Sequence, residues 1–333
     1  MQGANLTMKK IAKELGVSVS TVSRALQNHP RIGSQTRERV QKLAKELNYQ
    51  PDSRAINFKN KRSYNIGVVL PYLTEQFFSL ALSGIEETLM PKGYSVVVMQ
   101  SKNDYDREAA AIDSLLRHGI DGILVSMAAE TYNKSHFYNA PHRVPIVFFD
   151  RVLKYSRYST VSVNMTKASF DAMEYLLGKG WKNIALINGP NSLQATNERL
   201  DGYVNALNKY GVPVSIEYIK NVNLTKEDTL LKMNELLDLP VPPRVVLAFH
   251  DYIALDAMQV CKERGLQINQ DISFVTFSNF SFCSYLDNPP IATVEQFPYE
   301  LGVKAANLLL EAIEFPDSYQ VQEVVVEPKL IIR

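Results

Sequence analysis

The chain has 333 residues, 46 % hydrophobic and 21 % charged, which excludes wholesale disorder and exceeds what one ordinary core holds. Its net charge of +1 conceals a segregation: residues 1–62 carry 13 Lys and Arg against 4 Asp and Glu, a net +9, and the remainder carries 23 against 31, a net −8. A basic module joined to a mildly acidic body points to nucleic acid as the partner of the basic end, because cationic side chains release condensed counterions from phosphates. No apolar run reaches the roughly 18 residues of a membrane span, so no membrane partner is expected. Met1 to Lys10 lacks the apolar core of a signal peptide, and Cys261 and Cys283 form no disulfide framework. A reducing cytoplasm is the expected compartment.

Along the chain, Met8, Ile11, Ala12 and Leu15 share one face of a predicted first helix, and Gly16 ends it. Ser18 is the predicted N-cap of a second short helix with Val22, Ala25 and Leu26 inward. Asn28-His29-Pro30 forms a turn, and a third helix is predicted over roughly Thr36 to Leu47. Helix, Gly-containing turn, helix is the helix-turn-helix pattern.

The segment KKIAKELGVSVSTVSRALQNHPRIGSQTRERVQKLAKELNYQPD, Lys9 to Asp52, strongly resembles the headpiece of the lactose/galactose repressor (LacI/GalR) family of bacterial transcription regulators. Gly16-Val17-Ser18, Thr21-Val22-Ser23-Arg24, Thr36-Arg37-Glu38 and Tyr49-x-Pro51 all stand at the family's spacing. The resemblance implies that the second helix enters the major groove. Val19 and Ser20 then match positions that alter operator choice, and Arg24 matches a base-contacting arginine. Arg24 suits a bidentate pair with guanine, and Val19 a thymine methyl. Ser18, Thr21, Ser23 and Asn28 would position phosphates, and His29 lies at the operator edge. In the linker, the family pattern is a hinge helix whose leucine wedges into the minor groove. Phe58 stands at that position, either as an aromatic wedge or packed on the body when DNA is absent.

After Ser63, apolar β-rich runs alternate with helical stretches, the βαβ signature of parallel sheets. Ile66–Leu70, Tyr94–Met99, Gly122–Ser126 and Ile146–Phe149 form a first group. Thr160–Val163, Ile184–Ile187, Val245–Phe249 and Ile272–Phe277 form a second. The expected architecture is a small all-α helix-turn-helix headpiece plus an α/β, periplasmic-binding-protein-like body of two doubly wound parallel-sheet lobes. Its expected bounds are residues 1–50 for the headpiece and 51–63 for the hinge. The first lobe takes 64–160 plus 291–320, and the second takes 161–290 plus 321–333. The resemblance, rather than periodicity, implies the late crossings between lobes. Ligands of open parallel sheets bind at the strands' carboxyl ends.

In that cleft the resemblance assigns Phe77 and Phe78 to the effector's apolar face, and Asp150, Arg151, Arg199 and Asp251 to its polar groups. Ser278 departs from the pattern, standing where an aspartate normally pairs with the arginine; Asn164 likewise replaces a common Asp, and His250 a common Asn. Two readings stay open: an anionic ligand for an arginine without its partner, or an ordinary neutral sugar. No Walker A, Gly-x-Ser-x-Gly or Gly-x-Gly-x-x-Gly after the first strand occurs. No catalysis, cofactor or metal site is therefore expected.

The function so implied is an operator-specific repressor, controlled allosterically by a sugar or sugar derivative and binding a pseudo-palindromic operator as a homodimer. The alternative is a cytoplasmic or periplasmic sugar-binding module serving transport, which the basic helix-turn-helix disfavours.

Overall fold

The computed structural model describes residues 8–26, 28–47, 49, 62–141, 143–153 and 156–333. Phe58 and the predicted hinge up to residue 61 lie outside the described residues. Two compact units divide between Ser63 and Tyr64.

The first unit contains α1 (Met8–Leu15), α2 (Val19–Leu26) and α3 (Ser34–Glu46). Each contributes one buried pair to a shared core: Ile11 and Ala12, Val22 and Ala25, Val40 and Ala44. Gly16 leaves α1 at φ +67°, where a side chain would be strained. The Ser18 Oγ caps α2 by accepting from the Thr21 amide at 3.0 Å. Helix α3 begins two residues before the expected Thr36, directly after Gly33.

The body starts with β1 (Asn65–Leu70), α4 (Gln76–Leu89), β2 (Ser95–Gln100), α5 (Tyr105–Arg117), β3 (Gly122–Val125), the short α6 (Ser135–Tyr138), β4 (Ile146–Phe149) and β5 (Ser159–Val163). It continues through α7 (Met165–Gly178), β6 (Ile184–Asn188), α8 (Gln194–Lys209), β7 (Ile219–Asn221), α9 (Lys226–Leu237), β8 (Val245–Ala248), α10 (Asp251–Glu263) and β9 (Ser273–Thr276). The last elements are β10 (Ala292–Glu295), α11 (Pro298–Glu314), β11 (Glu323–Val326) and β12 (Lys329–Ile332). Two six-stranded sheets result, ordered β11-β5-β4-β3-β1-β2 and β12-β10-β9-β8-β6-β7. All pairings are parallel except β10 with β12. Strands β3, β4, β8 and β9 are buried at every residue, as strands covered by helices on both faces must be.

Three assignments differ from the sequence reading. Strand β5 belongs to the first sheet, because Val147 to Phe149 of β4 pair with Ser159 to Val161. Strand β10, expected in the first lobe, pairs with β9 in the second sheet. Strand β11, expected in the second lobe, pairs with β5 in the first. Helix α11 does lie against the first sheet, and β12 in the second. The chain thus crosses between lobes after β5, after β10 and between β11 and β12.

Glycine permits the closest helix contacts in both lobes. A Cβ at Gly302 of α11 would stand 2.0 Å from the Ala81 carbonyl oxygen of α4. A Cβ at Gly202 of α8 would stand 2.2 Å from the Thr166 carbonyl oxygen of α7. The second contact sets the depth at which α8 packs, and α8 carries Arg199.

Candidate functional site

In the headpiece, Val19, Ser20 and Arg24 of α2 are exposed, as are Ser18 and Asn28 at its ends. Thr21, Ser23 and His29 are half-buried. Val19 is 41 % exposed although apolar, so it faces solvent and leaves the core to Val22 and Ala25. The Ser18 hydroxyl lies 2.7 Å from Ser20 Oγ and 2.8 Å from Thr21 Oγ1, a hydroxyl cluster at the start of α2. Asn28 adopts φ 56°, and its Oδ1 accepts from Gln41 Nε2 of α3 at 2.8 Å. The turn is thereby tied to the third helix, and the exposed side of α2 presents Val19, Ser20 and Arg24.

In the body, a cavity of about 400 Å³ opens where the strands of both sheets end. Phe77 and Phe78 line it from α4, Asp150 and Arg151 from the end of β4, Arg199 from α8 and Ser278 from beyond β9. Phe77 and Phe78 meet edge to face at 5.4 Å, and the Arg151 guanidinium lies 5.7 Å from the Phe78 ring. Asp150 accepts from the Ser126 hydroxyl at 3.2 Å and stands 3.9 Å from Arg151 Nε. Burial nevertheless pushes its carboxyl upward, Arg151 opposing. Arg151 also donates to the Asn103 side chain.

Arg199 is 4 % exposed, with its guanidinium 4.1 Å from the Phe249 ring and 4.9 Å from the Phe277 ring. Its Nε and Nη1 have no hydrogen-bond partner among the described residues. Burial lowers its pKa to about 10, which still leaves it cationic at neutral pH. A Cβ at Gly189 would lie 2.4 Å from Phe249 Cε2, so glycine there is what lets that ring pack where it does.

Asp251 does not line the cavity, contrary to the expectation. It is 1 % exposed, and its Oδ2 accepts from the Phe280 amide at 2.8 Å while its own amide donates to Ser278 Oγ at 2.8 Å. It therefore braces the loop that brings Ser278 and Phe280 to the cavity. Asn164 is an N-cap, its Oδ1 accepting from the Lys167 amide at 3.0 Å, and is absent from the lining.

The sequence did not single out Glu75, Phe249, His250 and Phe280 as ligand contacts, nor Met127, Ala128, Ala129, Thr131 and Lys134, all of which border the cavity. His250 Nδ1 caps α10 by accepting from the Ile253 amide at 3.2 Å. Burial, assisted by the charge of Arg199, drops its pKa to about 3, so the imidazole is neutral. The detectable signal was position: Phe249 and His250 directly follow β8, where parallel strands present their ligands. Burial also pushes the Glu75 carboxyl upward. Among the described residues, no cluster of three His, Cys, Asp or Glu side chains is arranged to hold a metal. Nor, among the described residues, is any helix long and apolar enough to cross a membrane.

Two family profiles cover nearly the whole chain. Residues 7–52 match bacterial regulatory proteins of the lacI family, and residues 63–330 match periplasmic binding proteins and the sugar-binding domain of the LacI family. The chain is 35 % identical over 310 residues to the HTH-type transcriptional repressor CytR of Escherichia coli K12, spanning 92 % of this chain and 90 % of that one. It is 29 % identical over 328 residues to the repressor PurR of Actinobacillus pleuropneumoniae serotype 3, spanning 98 % and 97 %. Among solved structures, a ribose operon repressor from Burkholderia thailandensis, described as putative, superposes with TM-score 0.75 at 26 % identity, over 82 % of this chain and all of that one. The Lac repressor bound to ONPG shares the fold at TM-score 0.84 and 24 % identity, over 99 % of each chain. With both profiles and a relative of this identity and coverage, the chain belongs to the LacI family of bacterial regulatory proteins.

Proposed function

We propose that the protein is an operator-specific transcriptional repressor whose DNA affinity is controlled by a small molecule bound between the two α/β lobes. One observation carries the reading: a basic helix-turn-helix unit with an exposed recognition helix shares a chain with a ligand-sized cavity lined by a buried arginine whose Nε and Nη1 have no hydrogen-bond partner among the described residues. In this reading α2 enters the major groove, Arg24, Val19 and Ser20 face base edges, Ser18, Thr21, Ser23 and Asn28 fix the register on phosphates, and His29 lies at the operator edge. Phe58 wedges into the minor groove between half-sites. The protein acts in the cytoplasm as a homodimer, because one headpiece offers few base contacts and paired half-sites multiply specificity. Phe77, Phe78, Asp150, Arg151, Arg199 and Ser278 hold the effector, and Asp251 positions the loop beneath it. Binding rather than turnover is the activity, in line with the named relatives, which are transcriptional repressors.

The ligand controls DNA affinity only if it binds the operator-competent and released states unequally. The cleft lies between lobes that the chain crosses three times, so ligand contacts to both walls bias the angle between them. Selection from random duplexes, followed by affinity measurement across salt, tests the function. Enrichment of a two-fold symmetric site, with affinity falling steeply as salt rises, is the expected result. A monomer that enriches no sequence refutes it and favours the transport-module reading.

A further inference from the structure

The side chain of Glu108, in the first turn of α5, is wholly buried. The helix does not need it as a cap, because the Asp104 carboxylate already accepts from the Arg107 amide at 2.7 Å. Its partners lie instead 20, 23 and 28 residues further along the chain. Glu108 Oε2 accepts from the Ala128 amide at 2.6 Å. Oε1 accepts from the Thr131 hydroxyl at 2.7 Å and lies 3.1 Å from His136 Nε2. The His136 ring is held in turn against Phe137 at 3.9 Å and edge to face with Tyr105 at 5.4 Å. A buried carboxyl group is costly unless its oxygens are hydrogen-bonded, so the acid and its three partners hold one another in place.

Those partners belong to a wall of the cleft. Between Val125 and Ser135 the chain forms neither helix nor strand, so anchors outside it set its shape. Ala128, Ala129, Thr131 and Lys134 border the cavity, whereas Glu108 does not. Ala129 also packs into the apolar cluster of the second lobe, which includes Leu193 and Phe249. Asn103 supplies a second anchor: its carbonyl accepts from the Glu130 amide at 3.1 Å and its Oδ1 from the Ala129 amide at 3.3 Å. A segment of the first lobe thus reaches the second lobe, and a buried acid on α5 fixes it from behind.

Resting on the reading of the cleft as the effector site, we propose that Glu108 is a positioning residue for that site. Its hydrogen bonds hold residues 128–136 in the arrangement that shapes the cavity and seats Ala129 in the second lobe. Effector affinity therefore depends on a side chain that does not border the cavity.

The experiment uses the full chain, first without ligand. Hydrogen exchange read by mass spectrometry follows peptides covering residues 127–138, with β1 and β8 as the reference for opening of the whole body. Glu108→Ala speeds exchange of 127–138 by roughly tenfold and leaves β1 and β8 at wild-type rates, because local opening is separable from global unfolding. Glu108→Gln restores most of the protection, since its carbonyl still accepts from the Ala128 amide and its amide donates to the Thr131 hydroxyl. Thr131→Val removes one bond and keeps the acid, so it gives a smaller acceleration in the same peptides and decides the matter should Glu108→Ala not fold. Wild-type rates over 127–138 in either Glu108→Ala or Thr131→Val overturn the proposal. So does equal acceleration of β1 and β8, the mark of a merely structural acid, or a Glu108→Gln chain no better protected than Glu108→Ala. Thermal shifts with ribose, glucose and adenosine follow on the same preparations. A compound that stabilises the wild type gives a smaller shift in Glu108→Ala and Thr131→Val and recovers it in Glu108→Gln; equal shifts in all four overturn the positioning role. If none of the three stabilises the wild type, the effector-site reading loses its support while the exchange result still judges the wall.

Discussion

Substituting alanine for Gly202 tests whether the α7–α8 contact holds Arg199 in place. The added Cβ would meet the Thr166 carbonyl oxygen at 2.2 Å, Ser169 Cβ at 2.7 Å and the Phe170 amide nitrogen at 2.8 Å. Two of these are backbone atoms, so no rotamer change relieves the clash and the helices must part by on the order of 1 Å. Overpacking costs about 1–3 kcal/mol, and a rigid backbone obstacle places this site near the upper end. Alanine's better helix propensity returns about 1 kcal/mol. The net expectation is a loss of about 2 kcal/mol, or roughly 4–8 °C in the melting temperature of a unit this large. Separation also strains the bond from the Ser169 hydroxyl to the Arg199 carbonyl, 2.7 Å long, so Arg199 shifts as well. Gly178, at the end of α7, is the control, because the nearest atom to its added Cβ is the Tyr210 hydroxyl at 3.9 Å. Alanine there stabilises by about 0.5–1 kcal/mol. Urea unfolding of both variants gives the answer. A Gly202→Ala protein as stable as wild type would refute the packing argument.

Three further outcomes are expected. His250 titrates near 3 when folded against an ordinary 6.5, so between those values the unfolded chain takes up a proton that the folded state refuses, and stability falls as pH drops through that window. His250→Asn keeps a neutral cap acceptor without the titration, and its urea midpoint should fall less than wild type's between about pH 7.5 and 5; equal slopes would refute the buried neutral imidazole. Arg24→Ala should cost about 1–3 kcal/mol of operator affinity and relax preference at one base pair per half-site; an unchanged preference in binding-site selection means α2 docks otherwise. Gly189→Ala should displace the Phe249 ring from its position against Arg199, and the thermal shift given by whichever compound stabilises wild type should shrink; an undiminished shift would show that this ring plays no part in the site.

Local chemistry made the headpiece legible. The spacing of Met8, Ile11, Ala12 and Leu15, the glycine at 16 and the serine cap at 18 place α1 and α2 at their observed bounds. The apolar runs of the body likewise announce parallel strands, and Arg199 and Phe78 were identifiable through family spacing. Sheet membership was not. A parallel strand covered on both faces reads as the same apolar run in either lobe, so Ser159–Val163, Ala292–Glu295 and Glu323–Val326 acquire their sheet only from distant partners. The role of Asp251 was equally hidden, because an acid after a parallel strand suits a ligand or a loop brace. Its bond to the Phe280 amide, 29 residues away, decides for the brace. The same holds for the two Arg199 nitrogens without a hydrogen-bond partner. The sequence shows a serine where an acid was expected, but only the assembled second lobe shows that no side chain among the described residues hydrogen-bonds Nε or Nη1. Periodicity records which face of an element is apolar, and it carries no information about which distant element that face or that charge meets.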